Sequence, residues 1–248
     1  MNRNIRLISD FNINTFAGML RADPRYAQFE IEAAEYGQVY QELHQPSESW
    51  MTVVWASPQR TLPHFYEAMQ LTAVSHEEVL SDVETFATAI VDSNKSTYTL
   101  VCSWVLPHNF NGYGILDWRD DLGITNLLAK CNLLLSQILS EHANIFLLDT
   151  QSLINSITAP YSNKMWFAAK VPFSAEVFQA AANRVANCIA GIEGRSRRLI
   201  VLDLDNTLWG GVVGEHGWPA LRLGGHDHKG EAFKDFQLGL KALSNRGI

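Results

Sequence analysis

Leu199-Ile200-Val201-Leu202-Asp203-Leu204-Asp205-Asn206-Thr207-Leu208-Trp209-Gly210-Gly211 joins an unbroken apolar run to two carboxylates spaced one residue apart. Four aliphatic residues in succession (199–202) predict a strand buried on both faces, as in a parallel sheet. Alternate residues of an extended chain face the same side, so Asp203 and Asp205 would leave the strand's C-terminal end together. Open α/β sheets bind ligands at that end. Two crowded carboxylates repel each other unless a cation lies between them, and oxygen-only donors favour a hard ion such as Mg²⁺. One carboxylate to attack phosphorus and one to handle protons would suit phosphoryl chemistry. The competing reading is an acidic turn in which Asp205 or Asn206 bonds the local backbone. A calcium loop is disfavoured, because Leu208 stands where such a loop requires glycine at its sixth position.

The string Asp203-Leu204-Asp205-Asn206-Thr207-Leu208 resembles motif I of the haloacid dehalogenase (HAD) superfamily. The longer string from Asp203 to Gly217, DLDNTLWGGVVGEHG, resembles the FkbH-like branch, whose members are linked to loading glyceryl units onto acyl carrier proteins. The resemblance implies that Asp203 is the nucleophile, forms an aspartyl-phosphate and binds Mg²⁺. It implies that Asp205 is the general acid and then the base, its backbone carbonyl helping to hold the metal, with Thr207 orienting it through the hydroxyl. Mg²⁺ would offset the charge of nucleophile and phosphate. Amides of the loop from Asn206 through Gly210 and Gly211 would cradle phosphate oxygens, since glycine lets the backbone approach closely. Glu215 lies in a flap-like segment with His216. It contacts substrate or metal-bound water, or it is a solvated loop acid; both readings stay open. The implied substrate is a phosphorylated three-carbon acid of the bisphosphoglycerate type. The implied acceptor is the phosphopantetheine thiol of an acyl carrier protein. A plain HAD phosphatase with water as acceptor is one alternative, and a non-catalytic protein that binds a carrier or partner is the other.

Beyond this string, His226, Asp227 and His228 lack the spacing of a metal site and read as a polar loop. Residues 231–246 predict an amphipathic helix with Phe233, Phe236, Leu240 and Leu243 on one face, stopped at 245–247. Ile248 would begin a further strand. In HAD enzymes the phosphate-binding Ser or Thr, a Lys and further acids lie downstream of this helix. The expectation is therefore a fragment cut within its HAD domain and inactive alone.

Working back towards the N-terminus, strands are expected at 5–9, 29–33, 51–56, 98–106 and 144–148. Helices are expected at 14–21, 36–43, 62–71, 75–91, 121–141 and 174–189. Ser75 with Glu78 three residues on forms a capping box. This alternation predicts an α/β, doubly wound parallel sheet over 1–190. A linker over 191–198 and the start of a Rossmann-like HAD domain over 199–248 would follow. The N-terminal region resembles the SGNH-hydrolase-like (flavodoxin-like) domain of FkbH-like proteins. The likeness rests on Ser9-Asp10-Phe11-Asn12, Glu35-Tyr36-Gly37-Gln38-Val39-Tyr40 and the segment from Trp166 to Ser174. It departs from an active SGNH enzyme at two places. Phe11 stands where the nucleophilic Ser would be, and Asp149 is followed by Ser152 where an Asp-x-x-His pair needs His. Without a base paired to a nucleophile, acyl hydrolysis is not expected, and the domain reads as a scaffold or binding platform. A Ser9 hydrolase would require His108 or His142 to fold beside it. The loop 107–118 is long enough to suggest function. Trp166 and Lys170, four residues apart, share a helical face and serve either a phosphate or domain contact, or an interface anchor with an exposed Lys.

Composition narrows the partners. The 248 residues carry a net charge of −7, which argues against a nucleic-acid grip and against a bare anionic membrane surface. Arg195, Arg197 and Arg198 form the one local basic cluster, read as a solvated linker. Cys102, Cys131 and Cys188 show no metal-ligand spacing and read as reduced thiols. The N-terminus lacks the apolar core of a secretion signal, and no run of 18 apolar residues occurs. A cytoplasmic location is expected.

Overall fold

The computed structural model describes residues 3–45, 48–93, 98–110, 112–225 and 227–248. The chain divides into two compact units, Met1–Cys188 and Ile189–Ile248.

In the first unit, β1 (Arg3–Ser9), β2 (Phe29–Ala33), β3 (Met51–Trp55), β4 (Tyr98–Cys102) and β5 (Ile145–Leu148) form one sheet in the order β2-β1-β3-β4-β5. Every pairing is parallel. Sequence decides which strands are central. β3, MTVVW, is buried at all five positions, and β1 over its last five, as strands covered on both faces must be. At the edge, β2 buries Phe29 and Ile31 while Glu30 and Glu32 face water. The helices are α1 (Asn14–Ala22), α2 (Val39–His44), α3 (Pro58–Thr61), α4 (Pro63–Met69), α5 (His76–Ser93), α6 (Ile124–Leu139), α7 (Thr150–Asn155), α8 (Asn163–Ala169) and α9 (Ala175–Ile192). On one face Ile8, Val54 and Val101 pack with Leu43, Phe65, Phe86 and Leu135 from α2, α4, α5 and α6. On the other, Trp55 meets Phe16 of α1 and Phe178 of α9, with ring centroids 5.6 and 5.5 Å away. The unit is thus the expected α/β doubly wound fold, with the flavodoxin-like strand order.

Several element ends differ from expectation for local reasons. The helix expected over 62–71 is α4, Pro63–Met69, and a separate short helix not expected from sequence, α3, precedes it; each is opened by a proline. Leu62, preceding Pro63, is extended at φ −120°, ψ 96°, because the ring of the following proline disfavours the helical conformation. The strand expected over 98–106 ends at Cys102, opposite Leu148, the last residue of β5. The capping box forms as expected: Glu78 N donates to Ser75 Oγ at 3.2 Å and Ser75 N to the Glu78 carboxylate at 2.9 Å. α9 runs to Ile192, so the stretch read as a linker from 191 begins in its last turn.

The second unit holds α10 (Val213–His216) and α11 (His228–Asn245). The strand expected at 199–202 is not formed. Leu199 is 75% and Val201 84% exposed. A strand exists only when a neighbour takes its amides and carbonyls, and no described residue pairs with these four. α11 begins three residues earlier than expected, because the Asp227 carboxylate accepts from Gly230 N at 2.6 Å and caps it. Phe233, Leu240 and Leu243 are half-buried along one stripe, while Phe236 is exposed. His226 lies outside the described residues. Among the described residues no helix is long and apolar enough to cross a membrane.

Candidate functional site

The loop after residue 202 is built by its own side chains. Asn206 takes a left-handed conformation at φ 54°, which Asn tolerates better than most residues. That turn lets the Thr207 and Leu208 amides both reach Leu204 O, at 3.2 and 2.9 Å. Asn206 then closes the loop reciprocally: its amide donates to Gly211 O at 3.3 Å, and its Oδ1 accepts from Gly211 N at 2.9 Å. Gly210 exchanges two backbone bonds with Arg222, at 3.1 and 2.8 Å. A Cβ at Gly210 would sit 2.8 Å from the Phe233 ring, closer than side-chain atoms pack, so only glycine lets the loop lie against α11. Gln237 of α11 donates to Leu208 O at 2.5 Å.

Within this frame Asp205 is half-buried. Its Oδ1 accepts from the Trp209 indole N–H at 3.1 Å and from Val213 N at 3.3 Å. Asp203 is exposed, and its Oδ1 accepts from the adjacent Leu204 amide at 2.9 Å. The structure therefore holds Asp205 by Trp209 and Val213. The Thr207 hydroxyl makes no hydrogen bond to Asp205; its amide instead helps form the turn. Sequence reading passed over Trp209, although an indole, a donor without acceptor capacity, four residues after an acid in a tight loop is a usable signal. Asn206, Gly210 and Gly211 lie together in the closed loop, whereas Glu215 is exposed on the single turn of α10.

The donor chemistry fits Mg²⁺. Asp203 and Asp205 offer carboxylate oxygens only, and the Oδ2 of each lies outside the bonds just named. Among the described residues no group of three or more His, Cys, Asp or Glu side chains is gathered. Were a metal held here, the protein's share would be these two carboxylates, which would suit an ion that commonly keeps several waters.

The first unit holds no Ser–His pair among its described residues. Ser9 Oγ accepts from Phe11 N at 3.1 Å, and neither His108 nor His142 bonds to it. His108 stacks on Tyr161, ring centroids 4.9 Å apart, and contacts Asn163. Asp149 caps α7 by accepting from Ser152 N at 3.1 Å. Lys170 lies over the Trp166 ring, 5.2 Å from its centroid. Burial pushes the Cys131 thiol up to about 12 and the Cys102 thiol higher still, so both stay protonated and unreactive at neutral pH.

No family model and no curated protein matches the chain. A solved structure does: the N-terminal part of the protein BF1531 from Bacteroides fragilis, which contains a phosphatase domain complexed with Mg. The TM-score is 0.86 at 22% identity, covering 99% of this chain and 67% of that one. The two chains share a fold. Two more distant solved structures are a GDSL-like lipase from Bacteroides thetaiotaomicron and an aryl esterase from M. smegmatis. The first has a TM-score of 0.44 and 10% identity over 77% of this chain and 89% of its own. The second has a TM-score of 0.45 and 12% identity over 76% and 99%.

Proposed function

We propose that this chain carries the nucleophile segment of a Mg²⁺-dependent phosphatase of the HAD type, and that its reaction is the FkbH-like one. The observation that carries the reading is the pair of carboxylates on the locked loop: Asp203 exposed, Asp205 held by Trp209 and Val213. The fold shared with a chain described as containing a phosphatase domain complexed with Mg supports it. Asp203 attacks phosphorus, and the bond to the leaving oxygen breaks as Asp205 gives that oxygen a proton. Asp205 then takes a proton from the acceptor that cleaves the aspartyl-phosphate. When bound by the two carboxylates, Mg²⁺ supplies the positive charge that lets a carboxylate approach a phosphate. The Gly210 and Gly211 amides, expected to cradle phosphate, donate instead to Arg222 O and Asn206 Oδ1, so the glycines shape the loop and the phosphate oxygens are left to other groups. The substrate is a phosphorylated three-carbon acid of the bisphosphoglycerate type: the aspartyl route passes its ester phosphate to water, and the phosphopantetheine thiol of an acyl carrier protein attacks its acyl-phosphate carbonyl, so that the glyceryl thioester forms as inorganic phosphate leaves with the thiol's proton. The free thiols of Cys102, Cys131 and Cys188 fit a cytoplasmic setting.

The test incubates the full-length protein with bisphosphoglycerate, Mg²⁺ and a pantetheinylated carrier. Phosphate release with a mass gain of one glyceryl unit on the carrier is the expected result. Phosphate release without an adduct leaves the plain phosphatase, and neither product overturns the reading. Asp203→Asn is expected to lower turnover by several orders of magnitude with an unchanged circular-dichroism spectrum.

A further inference from the structure

The strand order β2-β1-β3-β4-β5 reverses direction between β1 and β3, and doubly wound sheets open a crevice at that point, beyond the C-terminal ends of the strands. Here the crevice is a cleft of about 70 Å³ formed by the residues that follow β1, β3 and β4 and by the Tyr161–Phe173 region. Its walls are aromatic: Phe11, Trp55, Trp166 and Phe173 all face it, with Trp55 and Phe173 stacked at 5.1 Å. An apolar cavity that takes a benzene ring measures about 150 Å³, so the closed part of this cleft admits a slender chain and not a ring.

The polar groups narrow the ligand further. Asp10 is the one acid at the cleft, and both its oxygens are occupied: Oδ1 accepts from Ser57 N at 2.7 Å and Oδ2 from the Ser57 hydroxyl. A negatively charged ligand would meet that carboxyl with no cation lining the closed part. Gln59 also lines the cleft, and its buried Oε1 accepts no hydrogen bond. A buried acceptor left unpaired is costly, and a ligand bringing an N–H or O–H would relieve it. The hydroxyls nearby are committed elsewhere, Ser57 to Asp10 and Ser103 to the Thr150 amide at 3.0 Å, and neither bonds a histidine. The site is built to hold a ligand, not to cleave it.

We propose that this cleft binds a short, neutral, amide-bearing chain, the chemistry of the cysteamine end of a pantetheine arm, with an amide N–H of the chain donating to Gln59 Oε1 and its methylenes lying between Trp55 and Trp166. The choice of pantetheine as the source rests on the transfer reading above. The preference for a slender neutral donor-bearing chain does not.

Free pantetheine and N-acetylcysteamine are titrated into the protein by calorimetry and by ligand-observed NMR. Saturable binding is expected, weakened about tenfold in Gln59→Leu, the loss of one hydrogen bond to a buried acceptor. A thermal melt confirms that the variant is folded, and Leu133→Ala, exposed on α6 and outside the lining of the cleft, is expected to bind within about threefold of the unaltered protein. Absence of saturable binding, equal binding by folded Gln59→Leu, or hydrolysis of S-acetylpantetheine overturns the proposal. A pantetheinylated carrier is expected to displace pantetheine while the unmodified carrier does not; failure of the former overturns the assignment to a carrier arm. Loss of binding with phosphate release intact removes this inference alone, and the reverse removes only the phosphatase reading.

Discussion

Trp209 is the residue on which the proposed chemistry turns most sharply. Its indole N–H and the Val213 amide are the two donors on Asp205 Oδ1. Trp209→Phe keeps the ring and removes the donor. Loss of orientation should lower kcat about ten- to a hundredfold, in line with a hydrogen bond to a charged group, with KM little changed. An unchanged kcat would leave Trp209 a packing residue. At this scale the spacing of the two acids is what proposes a site. The groups that hold Asp205 were not legible, since it is fixed by contacts four and eight residues away through a turn that Asn206 creates by adopting a positive φ.

Elements were legible where a local rule was complete in the sequence. Residues 29–33 form β2 over the expected bounds, and Ser75 with Glu78 starts α5 within one residue of expectation. They were not legible where a tertiary partner decides. The His64 ring pairs with Asp82 at 3.0 Å, and the His64 amide donates to the same carboxylate at 2.8 Å, tying the start of α4 to α5. Nothing in the spacing of 18 residues announces this. The hydrogen bond to Asp82 raises the His64 pKa above its ordinary value. A raised pKa contributes stability that is full below the unfolded value, about 6.5, and is lost as pH rises through the folded one. His76 acts in the opposite sense, pushed down by burial and by Lys130, so the protein must be compared with His64→Gln. The difference in Tm between the two should shrink between about pH 6 and 8. A difference that widens with pH would reverse the assigned sign.

Across the whole chain, the contrast between the strands of the sheet and residues 199–202 shows why an apolar run does not by itself make a strand. β3 (Met-Thr-Val-Val-Trp) is less aliphatic than 199–202 (Leu-Ile-Val-Leu), and both read as buried strands. β3 lies between β1 and β4, with its amides and carbonyls taken on both sides and all five residues buried. At 199–202 the same kind of sequence meets no neighbour among the described residues, and its side chains stand in water. A local pattern specifies which side chains want burial, while the ladder that satisfies the backbone is supplied from far along the chain. Native-state hydrogen exchange reads this difference directly. Amides of β1, β3 and β4 can open only when the first unit unfolds, so they should exchange at its slowest rate. Those of 199–202, with no acceptor, should exchange at nearly the rate of an unstructured peptide, and α11 should fall between, protected by its Asp227 cap and by Gln237 bonding Leu208 O. Protection at 199–202 equal to that of β3 would mean that these residues have found a strand partner, and the buried strand read from their sequence would be restored.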